Sequence, residues 1–269
     1  MTIKTLPQPL THENIEDFQT LEFLMLIGPA GTGKSYSILS LARAWQRLEP
    51  EGKVYVIDTE TGLAKTFKAQ FRDVKNLSIW HGDQVSDMNK FLDIFSQLAP
   101  IVTPKDFLCL ESDTRIWDYS QDGGWLQVTG QSKATYLSQR LTQGGPVTPH
   151  PDQLWQVALD SYRRRFRDVL VNDLRLRTNI LITTGLTKPG PRVSAAKRET
   201  MKLLNIDVSP DGHSENSRNP DTVLLLSRDS DGYWAQVLKD RAADRPGETV
   251  SFKVNNFWFD FLSACRSRQ

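Results

Sequence analysis

Residues 21–35 read "LEFLMLIGPAGTGKS", an apolar run from Leu21 to Ile27 followed by a segment, Gly28 to Ser35, that matches G-x-x-x-x-G-K-[ST] at every fixed position. The residues that follow place Ile38, Leu39, Leu41, Ala42 and Trp45 along one side of an amphipathic helix over 34–48. Strand, glycine-rich turn and helix in this order make a phosphate cradle. Glycine lets the backbone curl so that successive N–H groups and the helix N-terminus point at phosphate oxygens. Gly28, Pro29, Ala30, Gly31, Thr32 and Gly33 form the wall, Lys34 reaches the outer phosphates, and the Ser35 hydroxyl can ligate Mg2+. A chance glycine-rich turn would have neither the strand before it nor the helix after it.

Apolar runs suited to buried strands recur at 21–27, 53–58, 77–80, 106–111, 179–186, 222–227 and 233–238, and helical periodicity fills 34–48, 63–71, 86–98 and 153–176. This alternation predicts an α/β fold, a mostly parallel central sheet with helices on both faces. From residue 222 the pattern becomes strand, turn, strand, with "SRDSDG" between two apolar runs and a further strand near 249–254, which predicts C-terminal antiparallel strands at the sheet edge. Two polar stretches bearing Gly and Pro, 118–152 and 187–221, read as long loops of the functional or disordered kind. Residues 1–18 read as an N-terminal arm or tail, and 19–269 as one domain.

Lys and Arg number 33 against 32 Asp and Glu, a net charge of +1, so any contact with nucleic acid has to be local. The two cysteines, Cys109 and Cys265, supply neither a disulfide framework nor metal-ligand spacing and point to a reducing compartment. No apolar stretch reaches the length of a membrane span and the first residues lack the regions of a secretory signal, so the cytoplasm is the expected location.

Hydrolysis at the cradle needs acids. In an open parallel sheet, ligands collect beyond the carboxyl ends of the strands. Glu60, in "YVIDTETG" just past the second predicted strand, is the candidate that activates water; an ordinary loop or capping glutamate is the plainer alternative, and Asp58 could support the loop. "FLCLESDTRIW" ends the fourth predicted strand in Glu111, Ser112 and Asp113, and Glu111 is the candidate metal-side acid, with Asp113 as its substitute. The later polar stretch carries Lys188, Arg192, Lys197, Arg198 and Lys202, a cluster able to neutralise several phosphates or simply to be solvated. The earlier one carries Trp117, Tyr119, Trp125 and Tyr136, which either stack on unpaired bases or pack internally. Arg163, Arg164, Arg165 and Arg167 crowd the middle of the long predicted helix as a solvated face or a subunit contact.

With "GPAGTGKS", "IDTETG", "LESDTRIW", "ILITTGLTK" and "NPDTVLLLSRDSDGYWAQVLKDR" in this order, the chain resembles the RecA-like P-loop ATPases over about residues 20–255. More narrowly, it is similar to the single-domain members from phages and mobile elements, often described as AAA-type and tied to single-strand annealing and recombination. The resemblance implies ATP and Mg2+ as cofactors, Glu60 as the catalytic glutamate that orients or deprotonates water, Thr183 and Thr184 as a polar sensor of the γ-phosphate, and the polar stretches as nucleic-acid contacts. It also implies that Lys239 and Arg241 match a K-x-[RK] pair that reaches a neighbouring subunit's nucleotide, so that the active sites of a ring or filament are shared; a charged, solvated edge hairpin is the plainer reading. Relatives carry Asp-Ser where this chain has Glu111-Ser112, and often an Arg where it has Gly185-Leu186. Three functions follow: an oligomeric ATPase on single-stranded DNA, a nucleotide-controlled assembly or regulatory ATPase whose client is a protein, and a small-molecule phosphotransferase.

Overall fold

The computed structural model describes residues 21–143, 151–187, 195–204, 206–211, 218–241, 249–251 and 257–266. The expected N-terminal arm, 1–18, lies outside them. Eight strands form one sheet in the order β10-β9-β8-β1-β5-β4-β2-β3. β1 (Phe23–Ile27), β2 (Val54–Asp58), β3 (Leu77–His81), β4 (Phe107–Glu111), β5 (Asn179–Thr184) and β8 (Thr222–Arg228) pair in parallel. β9 (Tyr233–Asp240) and β10 (Thr249–Ser251) close the edge in antiparallel fashion, as the hairpin signal predicts.

Every residue of β1, β2, β4 and β5 is buried, which explains why these segments read as unbroken apolar runs rather than as alternating ones. Side chains still alternate between the two faces. Leu24, Leu26, Val54, Val56, Phe107, Cys109 and Leu181 pack toward α1 (Lys34–Leu48) and α2 (Leu63–Gln70) on one face. Phe23, Tyr55, Ile57, Leu108, Leu110, Ile180 and Ile182 meet α3 (Met88–Leu98) and α4 (Asp113–Thr129) on the other. A one-residue slip of any strand would exchange these two sets.

Two departures from the sequence reading are corrections. The stretch 118–152 is largely helical: α4 runs through Thr129, α5 (Lys133–Gln143) follows, and α6 (Pro151–Tyr162) begins where the loop was expected to end. Gly123 and Gly124 read as loop residues, yet the buried stripe of α4 is Ile116, Trp117, Ser120 and Gly124, small where α6 lies close. The Ser120 hydroxyl donates to the Ala158 carbonyl of α6 at 2.5 Å. The stretch 187–221 contains β6 (Leu186–Thr187), α8 (Ala195–Leu204) and β7 (Ser209–Pro210), with β6 and β7 paired antiparallel as a separate ribbon.

The long helix expected over 153–176 continues from α6 through a π-turn, Arg163–Arg167, into α7 (Asp168–Asn172). The extra residue in that turn sets Phe166 inward, 5.1 Å from the Phe91 ring, 5.2 Å from Phe95 and 5.4 Å from Tyr162. A last helix, α9 (Phe257–Arg266), packs Trp258 and Leu262 into the core beside α1 and was not anticipated. Among the described residues no helix is long and apolar enough to cross a membrane.

The aromatic seam under the π-turn yields a stability prediction. Phe166→Ala removes a ring that is 1% exposed and should lower the unfolding free energy by about 3–5 kcal/mol. Leu176→Ala, at a position 74% exposed, should stay within about 0.5 kcal/mol. Urea unfolding followed by tryptophan fluorescence compares the two.

Candidate functional site

Parallel pairing sets Ile27 opposite Thr184 and Asp58 opposite Glu111, so the carboxyl ends of β1, β5, β4 and β2 share one edge. The segment Gly28–Ser35 leaves β1 at that edge and enters α1. Gly28 is buried, and a Cβ there would stand 2.6 Å from Thr32 Oγ1 and 2.8 Å from the Leu226 carbonyl oxygen. Gly31 (φ 81°) and Gly33 (φ 94°) are left-handed, the conformation that L side chains resist. The Thr32 hydroxyl closes the turn on the Pro29 carbonyl at 2.8 Å. Pro29 and Ala30 are exposed at the tip.

Lys34 lies under this loop, 8% exposed, and donates to the carbonyls of Gly28 (2.8 Å) and Pro29 (2.9 Å). Burial lowers its pKa below the ordinary 10.5, while Glu60, Glu111 and Asp211 oppose that shift. The first turn of α1 contains no acidic side chain of its own and its cap makes no side-chain hydrogen bond, so the groups that face the positive end of the helix come from other elements. The loop, the N-terminus of α1 and the Lys34 ammonium thus lie together, with the ammonium bonded to the loop's own carbonyls.

Each acid has a distinct setting. Glu111 is 1% exposed; its Oε1 accepts from the Ser35 hydroxyl at 2.5 Å, and its Oε2 is buried with no hydrogen-bond partner. Burial lifts its pKa from 4.5 to about 8, with the Ser35 bond opposing and Asp58 and Glu60 adding to the rise. Asp58 accepts from the backbone N–H groups of Glu60 (3.0 Å), Thr61 (2.8 Å) and Leu63 (3.1 Å), so it builds the loop that presents Glu60 and starts α2. Glu60 is exposed and held by the Ser112 hydroxyl at 2.6 Å. Thr59 stitches the two strand ends: its hydroxyl donates to the Glu111 carbonyl (2.8 Å) and accepts from the Ser112 N–H (2.9 Å). The Glu111–Ser112 peptide is cis. Asp113 is buried in the opposite direction, where it accepts from the Tyr162 hydroxyl, so Glu111 rather than Asp113 stands beside Ser35.

The donor set suits a hard cation. An oxygen-only pair, Ser35 Oγ and the unpartnered Glu111 Oε2, could hold Mg2+, which takes few protein oxygens and completes its shell with phosphate and water. Among the described residues no group of three or more His, Cys, Asp or Glu side chains is placed to hold a metal by itself.

The remaining sequence candidates are dispersed. The Thr184 hydroxyl donates to the Asp211 carbonyl (2.9 Å) and stands 3.1 Å from that of Thr114, whereas the Thr183 hydroxyl is buried without a hydrogen-bond partner. Lys239 pairs with Val223, which lies opposite Met25 of β1, three residues or about 10 Å short of Gly28 along the strand direction, and Arg241 lies beyond it opposite Asp221. The Lys239 ammonium donates to the carbonyls of Arg218 (2.8 Å) and Pro220 (2.6 Å), and burial brings its pKa down to about 8. Arg241 binds Asp221 and the Arg218 carbonyl, both at 3.1 Å. Neither can serve the loop of its own chain.

Lys188 and Arg192 fall outside the described residues. Lys197, Arg198 and Lys202 lie on α8 rather than on a loop, and Arg198 and Lys202 are exposed there. The aromatics of 117–136 pack among helices: Trp117 meets Tyr162 edge-on at 5.1 Å and Trp125 meets Tyr136 at 5.1 Å. Sequence reasoning passed over Thr59 and Asp211, whose roles depend on which strand ends adjoin; no local pattern marks either. No family model matches the chain, and no curated protein matches it.

The buried Glu111 predicts a pH dependence. Its folded pKa is raised, so the folded chain keeps a proton that the unfolded chain releases between pH 4.5 and about 8. Without divalent cations, unfolding free energy should fall as pH rises through that window. Glu111→Gln should flatten the slope in urea titrations; an unaltered slope would place the titration elsewhere.

Proposed function

We propose that the chain is a RecA-like P-loop ATPase, dependent on Mg2+, that works as an oligomer on single-stranded DNA in recombination, annealing or replication. The observation that carries this reading is the meeting of the glycine-rich loop, the buried Lys34 and the Ser35–Glu111 pair at one sheet edge, with Glu60 held beside them. The resemblance to phage and mobile-element ATPases supplies the client.

Lys34 exchanges its two loop carbonyls for phosphate oxygens when ATP enters. Water attacks the γ-phosphorus in line with the departing bridging oxygen, and Glu60, fixed by Ser112, orients that water and accepts its proton. Lys34 and the N-terminus of α1 stabilise charge on the phosphoryl oxygens. Ser35 and Glu111 would hold Mg2+, which neutralises the β- and γ-phosphate oxygens when bound. Arg241, with Lys239, completes the site of a neighbouring copy.

A protein client is the second reading, and one observation favours it. Trp117, Trp125 and Tyr136 are engaged within the helical layer rather than displayed for base stacking. Under that reading ATP alters assembly size while single-stranded DNA leaves turnover unchanged.

Steady-state turnover separates these possibilities. Lys34→Ala should abolish ATP binding, and Glu60→Gln should keep binding while turnover drops about 10²- to 10⁴-fold. Single-stranded DNA should stimulate the wild type, and the Arg198→Ala, Lys202→Ala double variant should lose that stimulation. Absence of any ATP turnover with or without DNA would overturn the reading.

Shared sites make a separate prediction. Arg241→Ala should lower turnover about 10³-fold or more in the assembled state. Mixing it with Lys34→Ala should restore activity, because one variant brings the intact cradle and the other the intact cation. A mixture as inactive as its parts would remove the trans role.

A further inference from the structure

Asp211 takes no part in the hydrolysis described above, yet it stands beside the first residue of the cradle. The Gly28 N–H donates to the Thr184 carbonyl at 3.3 Å, so the end of β5 runs along the start of the loop, and Gly185 is the next residue of that strand end. Asp211 is fastened there by its main chain. Its N–H donates to the Gly185 carbonyl at 2.9 Å, and its carbonyl accepts from the Thr184 hydroxyl at 2.9 Å. Thr114, in the first turn of α4, braces the same point, its hydroxyl accepting from the Gly185 N–H at 3.1 Å.

These bonds press the Asp211 carboxylate against Gly185. A Cβ at 185 would stand 2.7 Å from Asp211 Oδ2, nearer than a real side chain comes, so only glycine leaves room for the carboxylate. What fills that room is a negative charge within reach of the cradle: Asp211, after Glu60 and Glu111, holds up the pKa of the Lys34 ammonium against burial. Glu60 and Glu111 follow from the ends of β2 and β4. Asp211 is delivered by a different part of the fold, the β6–β7 ribbon, in which Leu186 pairs with Pro210. Lys34 therefore feels three carboxylates, and one of them can be moved without disturbing the central sheet.

We infer that Asp211 is a specificity-determining residue of the cradle, an anionic guard that disfavours the terminal phosphate of a triphosphate more than it disfavours a diphosphate, so that the β6–β7 ribbon sets the balance between substrate and product in the loop. The inference rests on the ATPase reading above. Its physical basis is repulsion between like charges. An outer phosphate drawn to Lys34 has to approach the carboxylate that already acts on Lys34, and in a half-buried site water and salt screen the two poorly. A diphosphate ends one phosphate earlier and stays farther from the guard.

The test compares two nucleotides that differ by the terminal phosphate. A non-hydrolysable ATP analogue and ADP, each with Mg2+, are titrated calorimetrically into the wild type, Asp211→Asn and Asp211→Ala. The bonds that anchor residue 211 are main-chain bonds, so both variants keep them while losing the charge. Each variant should bind the ATP analogue about 3- to 30-fold more tightly, the effect of one unit charge a few ångströms away at a dielectric between that of water and that of a buried site, while ADP should shift less than about twofold. The retained ADP affinity also reports that the cradle is folded. Weakening of either nucleotide, an equal shift of both, or no shift in either overturns the guard. A wild type that binds neither nucleotide overturns the ATPase reading itself.

Discussion

The parallel pairing of β1, β5, β4 and β2 governs everything at the candidate site. Because these strands are buried on both faces, their register is fixed by packing, and because they are parallel, their carboxyl ends fall on one line. Gly28 therefore adjoins Thr184, and Thr59 adjoins Ser112, although each pair is far apart in the chain. Thr59 then locks the β2 and β4 ends together through both its hydroxyl and its N–H, so the two acid-bearing loops cannot separate without breaking buried bonds.

That line of strand ends gathers more negative charge than it balances. Glu60, Glu111 and Asp211 act on one buried ammonium, Asp58 adds to the charge felt by Glu111, and the carboxylates at the strand ends each have a different set of donors. Asp58 is consumed by backbone N–H groups, Glu60 by a hydroxyl, and Glu111 by a single hydroxyl that leaves one oxygen without a partner. A buried carboxylate with half its acceptors empty is costly unless protonated or matched by a cation. The same unpartnered oxygen that accompanies the raised Glu111 pKa is the one a divalent ion would meet under the proposed function, beside the Ser35 hydroxyl.

Much of this was legible in the sequence because it is local. The glycine-rich loop, the seven principal strands and the helices at 34–48, 63–71 and 86–98 each carry their own periodicity, and Glu60 and Glu111 follow from where strands end. The failures have a common cause, namely that tertiary packing overrode local signals. Gly124 sits inside α4 on the buried stripe it shares with Ser120, whose hydroxyl bonds α6, rather than at a turn of the chain, and Gly123 beside it is exposed. A cluster read as a basic loop includes residues wound into α8. Strand propensity alone marked Tyr233 as a strand former; its contact with Gly33 depends on β8 adjoining β1, which no local pattern encodes. Lys239 and Arg241 were found by their spacing, but the spacing could not say that both would bind carbonyls and Asp221 of their own chain.

Those internal bonds bear on how the pair could act. Lys239 holds two carbonyls, while Arg241 shares Asp221 with Arg175, whose guanidinium stands 2.6 Å from the same oxygen. The half-buried Lys239 bonds would cost more to break than the solvent-exposed Arg241 pair, whose contribution is about 0–1 kcal/mol. A neighbour's triphosphate can offset that cost, because several anionic oxygens compete with neutral carbonyls for the same cations. In an isolated subunit the pair would then serve as a clasp between 218–221 and the end of β9, and in an assembly it would open only where a loaded cradle faces it. On that argument the clasp ties any trans contribution to nucleotide occupancy next door, and an empty neighbour leaves the cations at home.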